Sequence, residues 1–147
     1  MSSPEGSSVT FRRVPATLRR RVIERFARLL QKEVAGGAPF DTLITGDAEL
    51  RRLNRAFRKK DYTTDVLSFP SAGPDLGDLA ISLGRARAQA REFGHTIEQE
   101  ISVLMLHGVL HLLGHDHEVD RGRMARLEKR WRAKLGLPTS LIERVQS

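Results

Sequence analysis

At residues 107–117 the chain reads HGVLHLLGHDH, and this stretch does most to decide the fold. It closes a strongly apolar segment that begins at Thr96 and Gln99, which are spaced as the two members of a capping box. The pattern predicts a helix over 96–113, which Gly114 ends by adopting a positive φ. Because its apolar residues occupy every face, this helix is expected to lie at the centre of the fold.

The histidines of this stretch have the spacing of metal ligands. His107 and His111 are four residues apart, so their imidazoles project from one helical face, one turn apart. A turn at Gly114 allows His117 to supply a third nitrogen. Three neutral imidazoles with an open position are typical of catalytic zinc. Histidines without a ligand are the alternative, but an apolar helix gains nothing from two imidazoles unless something pairs them.

The same spacing occurs in the metzincin motif HExxHxxGxxH, with one difference. The second position here is Gly108, so the glutamate that serves those peptidases as general base is missing. Glu100, about two turns before His107, is a candidate for a structural or second-shell role. Asp116 is another candidate, either accepting the free N–H of a ligand histidine or capping the turn.

The remaining patterns predict an α+β fold, with a small mixed sheet of about four strands and the metal site on a central HxxxH helix. The strands at 64–69 and 78–83 flank a short loop, which favours an antiparallel hairpin. One domain is expected over residues 1–147, and its first eight residues, 1–8, are expected to be a disordered leader. The other expected elements are strands at 9–13 and 40–45 and helices at 15–35 (apolar Leu18, Val22, Phe26, Leu29, Leu30), 47–58 (Leu50, Leu53, Phe57), 84–93 and 121–135 (Met124, Leu127, Trp131, Leu135).

The composition points to a nucleic-acid partner and excludes several chemistries. The chain has 147 residues, a net charge of +7 and no cysteine, which excludes disulfides and thiolate-ligated metals. No apolar run is long enough to cross a membrane and no signal peptide is evident, so a cytoplasmic protein is expected. Segments 12–32, 51–60 and 121–134 hold 21 of the 25 cations. With only 5% aromatic residues, recognition is expected to rest on backbone charge with little base readout.

Three blocks resemble the YbeY family of bacterial rRNA-maturation endoribonucleases. Residues 53–70, LNRAFRKKDYTTDVLSFP, resemble the family's LNxxYRxxDxxTDVLSFP. Residues 77–82, GDLAIS, are similar to its GDIxIS, and 107–117 to its HGxLHLLGYDH. The chain departs from the pattern at Phe57, where the family often has Tyr, at Thr63, where Pro is usual, and at His115, where Tyr is usual.

The resemblance implies a zincin-like fold that binds one zinc ion per chain through His107, His111 and His117. It implies cleavage of single-stranded RNA, in 3′-end maturation of small-subunit rRNA and in ribosome quality control. The implied partners are rRNA precursors, the small ribosomal subunit and assembly proteins such as an Era-type GTPase. By position Arg58 matches a functionally important arginine, so it is paired with His107 as a catalytic candidate. The candidates for RNA binding are Arg55, Arg58, Lys59 and Lys60.

Two other functions stay open. The first is hydrolysis of another substrate, such as a peptide, on the same metal scaffold. The second is a non-enzymatic ribosome-assembly factor with a structural zinc, which a fourth ligand from His115 would favour because it closes the site. The coordination number of the bound metal distinguishes the two hypotheses, because a catalytic site keeps one position open and a structural site does not.

Overall fold

The computed structural model describes residues 6–58, 64–114 and 122–138. Within those ranges the chain forms four strands and five helices, in the order β1, α1, β2, α2, β3, β4, α3, α4, α5. The alternation of short strands with amphipathic helices in the sequence accounts for this arrangement. The strands are β1 (Ser8–Phe11), β2 (Phe40–Thr45), β3 (Val66–Pro70) and β4 (Gly77–Ser82), and the helices are α1 (Arg20–Glu33), α2 (Asp47–Arg58), α3 (Leu83–Phe93), α4 (Ile97–Leu112) and α5 (Arg123–Leu135).

The four strands form one mixed sheet in the order β1-β2-β4-β3. Strands β1, β2 and β4 run parallel, whereas β3 runs antiparallel to β4, with Leu67 opposite Ala80. The predicted α+β class and the predicted hairpin are therefore confirmed. Among the described strands β3 pairs with β4 alone, so it is an edge strand, and both strands contact α4.

Helix α4 is the centre of the hydrophobic core. Twelve of its sixteen residues are buried, because its apolar residues surround the helix and α1, α3, α5 and the sheet all pack against it. The capping box of Thr96 and Gln99 begins it as predicted. Alternate residues of the strands face the other side of the sheet, where Leu67 and Ala80 form a smaller cluster with Leu50 of α2.

Gly108 lets α4 approach the sheet closely. A Cβ atom at this position would lie 2.6 Å from Cδ2 of Leu79 and 3.3 Å from Cγ2 of Val66. The hydroxyl of Ser68 on β3 donates a hydrogen bond to the carbonyl oxygen of Gly108, at 3.2 Å. The turn of α4 that carries His107 is thereby held against β3 and β4.

The predicted first helix needs two corrections. It begins at Arg20 rather than Pro15, and its buried residues are Ile23, Ala27 and Leu30. The periodicity predicted that Val22 and Leu29 face inward, but they are 41% and 37% exposed. Helix α1 has two adjacent apolar stripes, one with Val22 and Leu29 and one with Ile23 and Leu30, which are offset by one residue. The second stripe packs into the core.

The element ends differ from the predictions by a few residues, for local reasons. Strand β1 ends at Phe11 rather than at residue 13, because Arg13 adopts a left-handed conformation with φ +58°. Strand β4 ends at Ser82 because the hydroxyl of this residue accepts a hydrogen bond from the Arg85 backbone and caps α3. The start of the predicted last helix lies outside the described residues.

One side-chain placement was also wrong, and one helix face has additional members. Phe57, expected to face inward from α2, is 68% exposed. On α5, Met124 is buried as predicted, but it shares its face with Glu128 and Arg132, which the apolar pattern did not include. Leu127 and Trp131 of α5 are partly buried against the core.

Candidate metal centre

Two imidazoles converge in the last two turns of α4. The Nε2 atoms of His107 and His111 lie 3.1 Å apart, with ring centroids separated by 4.7 Å and ring planes at 68°. His107 is 8% exposed and His111 is half-buried, so the pair faces the edge of the core rather than open solvent. Two nitrogens at 2.0–2.1 Å from a tetrahedral metal lie about 3.3 Å apart. The observed separation therefore fits a shared metal ion.

A buried carboxylate stands behind the first of these rings. Oε1 of Glu128 lies 3.5 Å from Nδ1 of His107, on the far side of the ring from Nε2. Glu128 is 0% exposed, and no described residue gives either carboxylate oxygen a hydrogen bond. A carboxylate in this place favours the tautomer with the proton on Nδ1, which leaves the Nε2 lone pair free to bind a metal.

Sequence reasoning missed Glu128 because the residue lies in a strongly cationic segment. It is the single acid among seven cations in residues 121–134, which looks like a solvated basic face. One signal was available, since Met124, Glu128 and Arg132 follow one another at helical spacing. A lone acid in line with a core methionine indicates a buried carboxylate.

Glu100, which the sequence offered as a residue supporting the metal site, lies in the first turn of α4. Its Oε1 lies 2.6 Å from Nε2 of His95, and both side chains are almost completely buried. This contact joins the first turn of α4 to the link between α3 and α4, so Glu100 has the structural role that the sequence left open for it.

The structure brings together two of the three predicted imidazoles. His117, Asp116 and His115 lie outside the described residues, as do Lys59 and Lys60. In the ranges 6–58, 64–114 and 122–138 no three histidine or acidic side chains form a metal site. Arg58 is the last residue of α2, and Arg55 is exposed one turn earlier.

Exposed cations lie on two helices, α5 and α2. On α5, a groove of about 520 Å³ is lined by four of them, Arg123, Arg126, Lys129 and Arg130. Glu128, which contacts His107, lies on the opposite face of the same helix.

The second set of cations lies on α2. Arg51, Arg52 and Arg55 are exposed there. Arg52 donates two hydrogen bonds to Glu49, which hold the pKa of that carboxyl below its usual range and raise the pKa of the guanidinium. Arg52 is thus partly neutralised, whereas Arg55 adds an exposed charge near the end of the helix.

Comparison with known proteins shows which family the chain belongs to. Residues 9–136 match the family model described as endoribonuclease YbeY. The chain belongs to the YbeY family. Endoribonuclease YbeY of Solibacter usitatus is 92% identical over 147 residues, covering 100% of both chains. The YbeY protein of Koribacter versatilis is 56% identical over 103 residues, covering 69% of this chain and 68% of that one.

A solved structure shares the fold. The solution structure of TM1509 from Thermotoga maritima superimposes with a TM-score of 0.58 and is 28% identical, covering 86% of this chain and 93% of that one. Membership of the YbeY family, expected from the three sequence blocks, is therefore confirmed. No helix in the described part of the chain is long and apolar enough to cross a membrane.

Proposed function

We propose that this YbeY-family chain is a zinc-dependent endoribonuclease that cuts single-stranded RNA. Its relatives are named endoribonuclease YbeY, which supports RNA cleavage. The observation that carries the metal dependence is the pair of Nε2 atoms, 3.1 Å apart, at the end of a buried helix. His107, His111 and, by the family resemblance, His117 would hold the ion.

When bound, zinc supplies a Lewis acid for the phosphodiester and lowers the pKa of a coordinated water. The side chains of the protein position the metal ligands and the phosphate. Glu128 orients the ring of His107, and His111 is held one turn later on the same rigid helix. Arg58, at the end of α2, is proposed to donate hydrogen bonds to the phosphoryl oxygens, for which a guanidinium fork is well suited.

Packing at residue 108 argues against a peptidase of the HExxH type. A glutamate here would place its Cβ atom 2.6 Å from Leu79 Cδ2, so the leucine side chain would have to shift and the contact between α4 and the sheet would loosen. Residue 108 is a glycine, so the general base of those enzymes is missing from its usual position on this helix. The cationic groove on α5 favours a polyanionic substrate instead.

The biological setting is proposed from the resemblance. We propose that the substrate is a precursor of small-subunit rRNA, cut near its 3′ end during maturation and ribosome quality control. The partners proposed are the small subunit and assembly proteins such as an Era-type GTPase, in the cytoplasm. The net charge of the chain, +7, supports binding to the RNA of a ribonucleoprotein particle.

The test is to measure zinc content and cleavage of a single-stranded RNA for the wild type and for His107→Ala. The variant is expected to lose both zinc and cleavage. Leu113→Ala, which changes an exposed side chain two residues after His111, is the control and is expected to keep both. Full cleavage by His107→Ala contradicts the metal mechanism. A wild type that holds zinc but cuts no RNA favours a structural zinc, and one that cuts peptides instead favours another hydrolase.

A further inference from the structure

An exposed aromatic side chain stands at the end of α2. Phe57 is 68% exposed, the highest value among the large apolar side chains that the structure describes. Its ring packs edge-to-face against Phe69 of β3, with centroids 5.9 Å apart and planes at 75°. Phe69 packs in turn against the cluster around Leu67. In an edge-to-face contact Phe69 can cover at most one face of the Phe57 ring, so at least one face is left uncovered by it.

From this geometry we infer that the open face of Phe57 is a binding site for an unpaired nucleobase of the RNA. This inference rests on the proposed function and adds a contact to it. Every base has a π-face, so an aromatic ring can hold one without reading its identity. The 5% aromatic content predicts little base readout, and a single stacked base agrees with that prediction because stacking does not read the identity of the base.

The pair lies across the edge strand β3 from the metal centre, on the face of the sheet that carries Leu67. Phe69 follows Ser68, whose hydroxyl lies 3.2 Å from the carbonyl oxygen of Gly108, the residue after His107. The Cα atoms of Phe69 and His107 are therefore at most about 16 Å apart, summing bond lengths and that contact. A strand of RNA that crosses the edge strand β3 covers this distance in a few nucleotides.

The charge around Phe57 selects the occupant. Residues 51–60 contain six cations and no acid, and Arg51 and Arg55 are exposed on the same helix as Phe57. An apolar surface of a partner protein gains nothing from such a rim, whereas the phosphates on either side of a stacked base are attracted by it. Double-stranded RNA keeps its bases inside the helix, so the ring also offers a reason for preferring single strands.

The experiment compares RNA binding by the wild type and by Phe57→Leu, which keeps an apolar side chain but removes the π-face. Fluorescein-labelled single-stranded RNA is titrated with a metal chelator present, so that no strand is cut. A second series of RNAs carries one abasic nucleotide, moved along the strand. We expect Phe57→Leu to weaken binding roughly 5- to 150-fold, and one abasic position to weaken wild-type binding by a similar factor.

The pattern of losses distinguishes stacking from other roles. The critical abasic position is expected to cost Phe57→Leu nothing further, and Phe57→Trp is expected to bind as tightly as the wild type. Phe93→Leu, at an exposed phenylalanine on α3, is the matched control and should leave affinity unchanged. Unchanged affinity in Phe57→Leu overturns the inference, as does a loss of equal size with every abasic RNA. A wild type that binds no RNA overturns the proposed function itself.

Discussion

Removing the charge of Glu128 tests how the metal centre is built. Glu128→Gln keeps the shape of the side chain but takes away the carboxylate that faces Nδ1 of His107. Loss of such a partner typically weakens metal binding 10- to 100-fold. The 3.5 Å separation is longer than a well-formed hydrogen bond, so we expect the lower end, about tenfold or about 1.4 kcal/mol.

The same substitution is expected to leave the metal-free fold intact. Glu128 is completely buried, and no described residue gives its oxygens a hydrogen bond, so the fold bears the cost of desolvating them. A neutral amide of the same size lowers that cost. The free energy of unfolding without metal should therefore stay equal or rise.

Two assays separate these effects. Zinc affinity is measured by competition with a chromophoric chelator, and stability by urea denaturation of the metal-free protein. Glu92→Gln, at an exposed acid on α3, is the matched control and should change neither quantity. Zinc affinity that is unchanged in Glu128→Gln, or that falls only together with stability, would refute a positioning role for this carboxylate.

Three further predictions concern the packing, the electrostatics and the ligands. Gly108→Ala is expected to lower the free energy of unfolding by about 1–3 kcal/mol, because its methyl group would meet Leu79; an unchanged urea midpoint contradicts this contact. Partial desolvation and the neighbouring Asp41 and Asp75 raise the pKa of Asp78, although its side chain is exposed. The fold therefore binds that proton more tightly than the unfolded chain does and loses stability as pH rises past the usual aspartate range. Asp78→Asn should therefore stabilise the protein at pH 7 by a few tenths of a kcal/mol and give no gain near pH 3; an equal gain at both values contradicts this cause. His111→Ala is expected to abolish zinc binding while leaving the chain folded, as measured by metal analysis and circular dichroism; retained zinc contradicts the ligand assignment.

Local signals in the sequence were enough to predict the helix that carries the site. Thr96 and Gln99 form the capping box that begins α4, and Gly114 adopts the predicted positive φ after its end. The four-residue spacing of His107 and His111 was enough to bring their Nε2 atoms together. Each of these features depends only on residues within one or two turns, which is why the sequence determines it.

Features that depend on packing between elements were not predictable in the same way. The first helix has two apolar stripes, and only the position of α4 decides that Ile23 rather than Val22 is buried. Phe57 has the spacing of a core residue, yet it lies beyond the end of the cluster that Leu50 forms with β3. The contact of Glu128 with His107 joins residues 21 positions apart, and nothing local in the sequence indicates it.

The central claim is that His107 and His111 bind one metal ion through their Nε2 atoms. It is tested most directly by a crystal structure of the zinc-loaded protein with diffraction measured on both sides of the zinc absorption edge. We predict a single anomalous peak per chain, about 2.0–2.1 Å from both Nε2 atoms, with a third imidazole bound and one position left open. A peak at another place on the chain, or no peak in protein that contains zinc at one ion per chain, would contradict the claim.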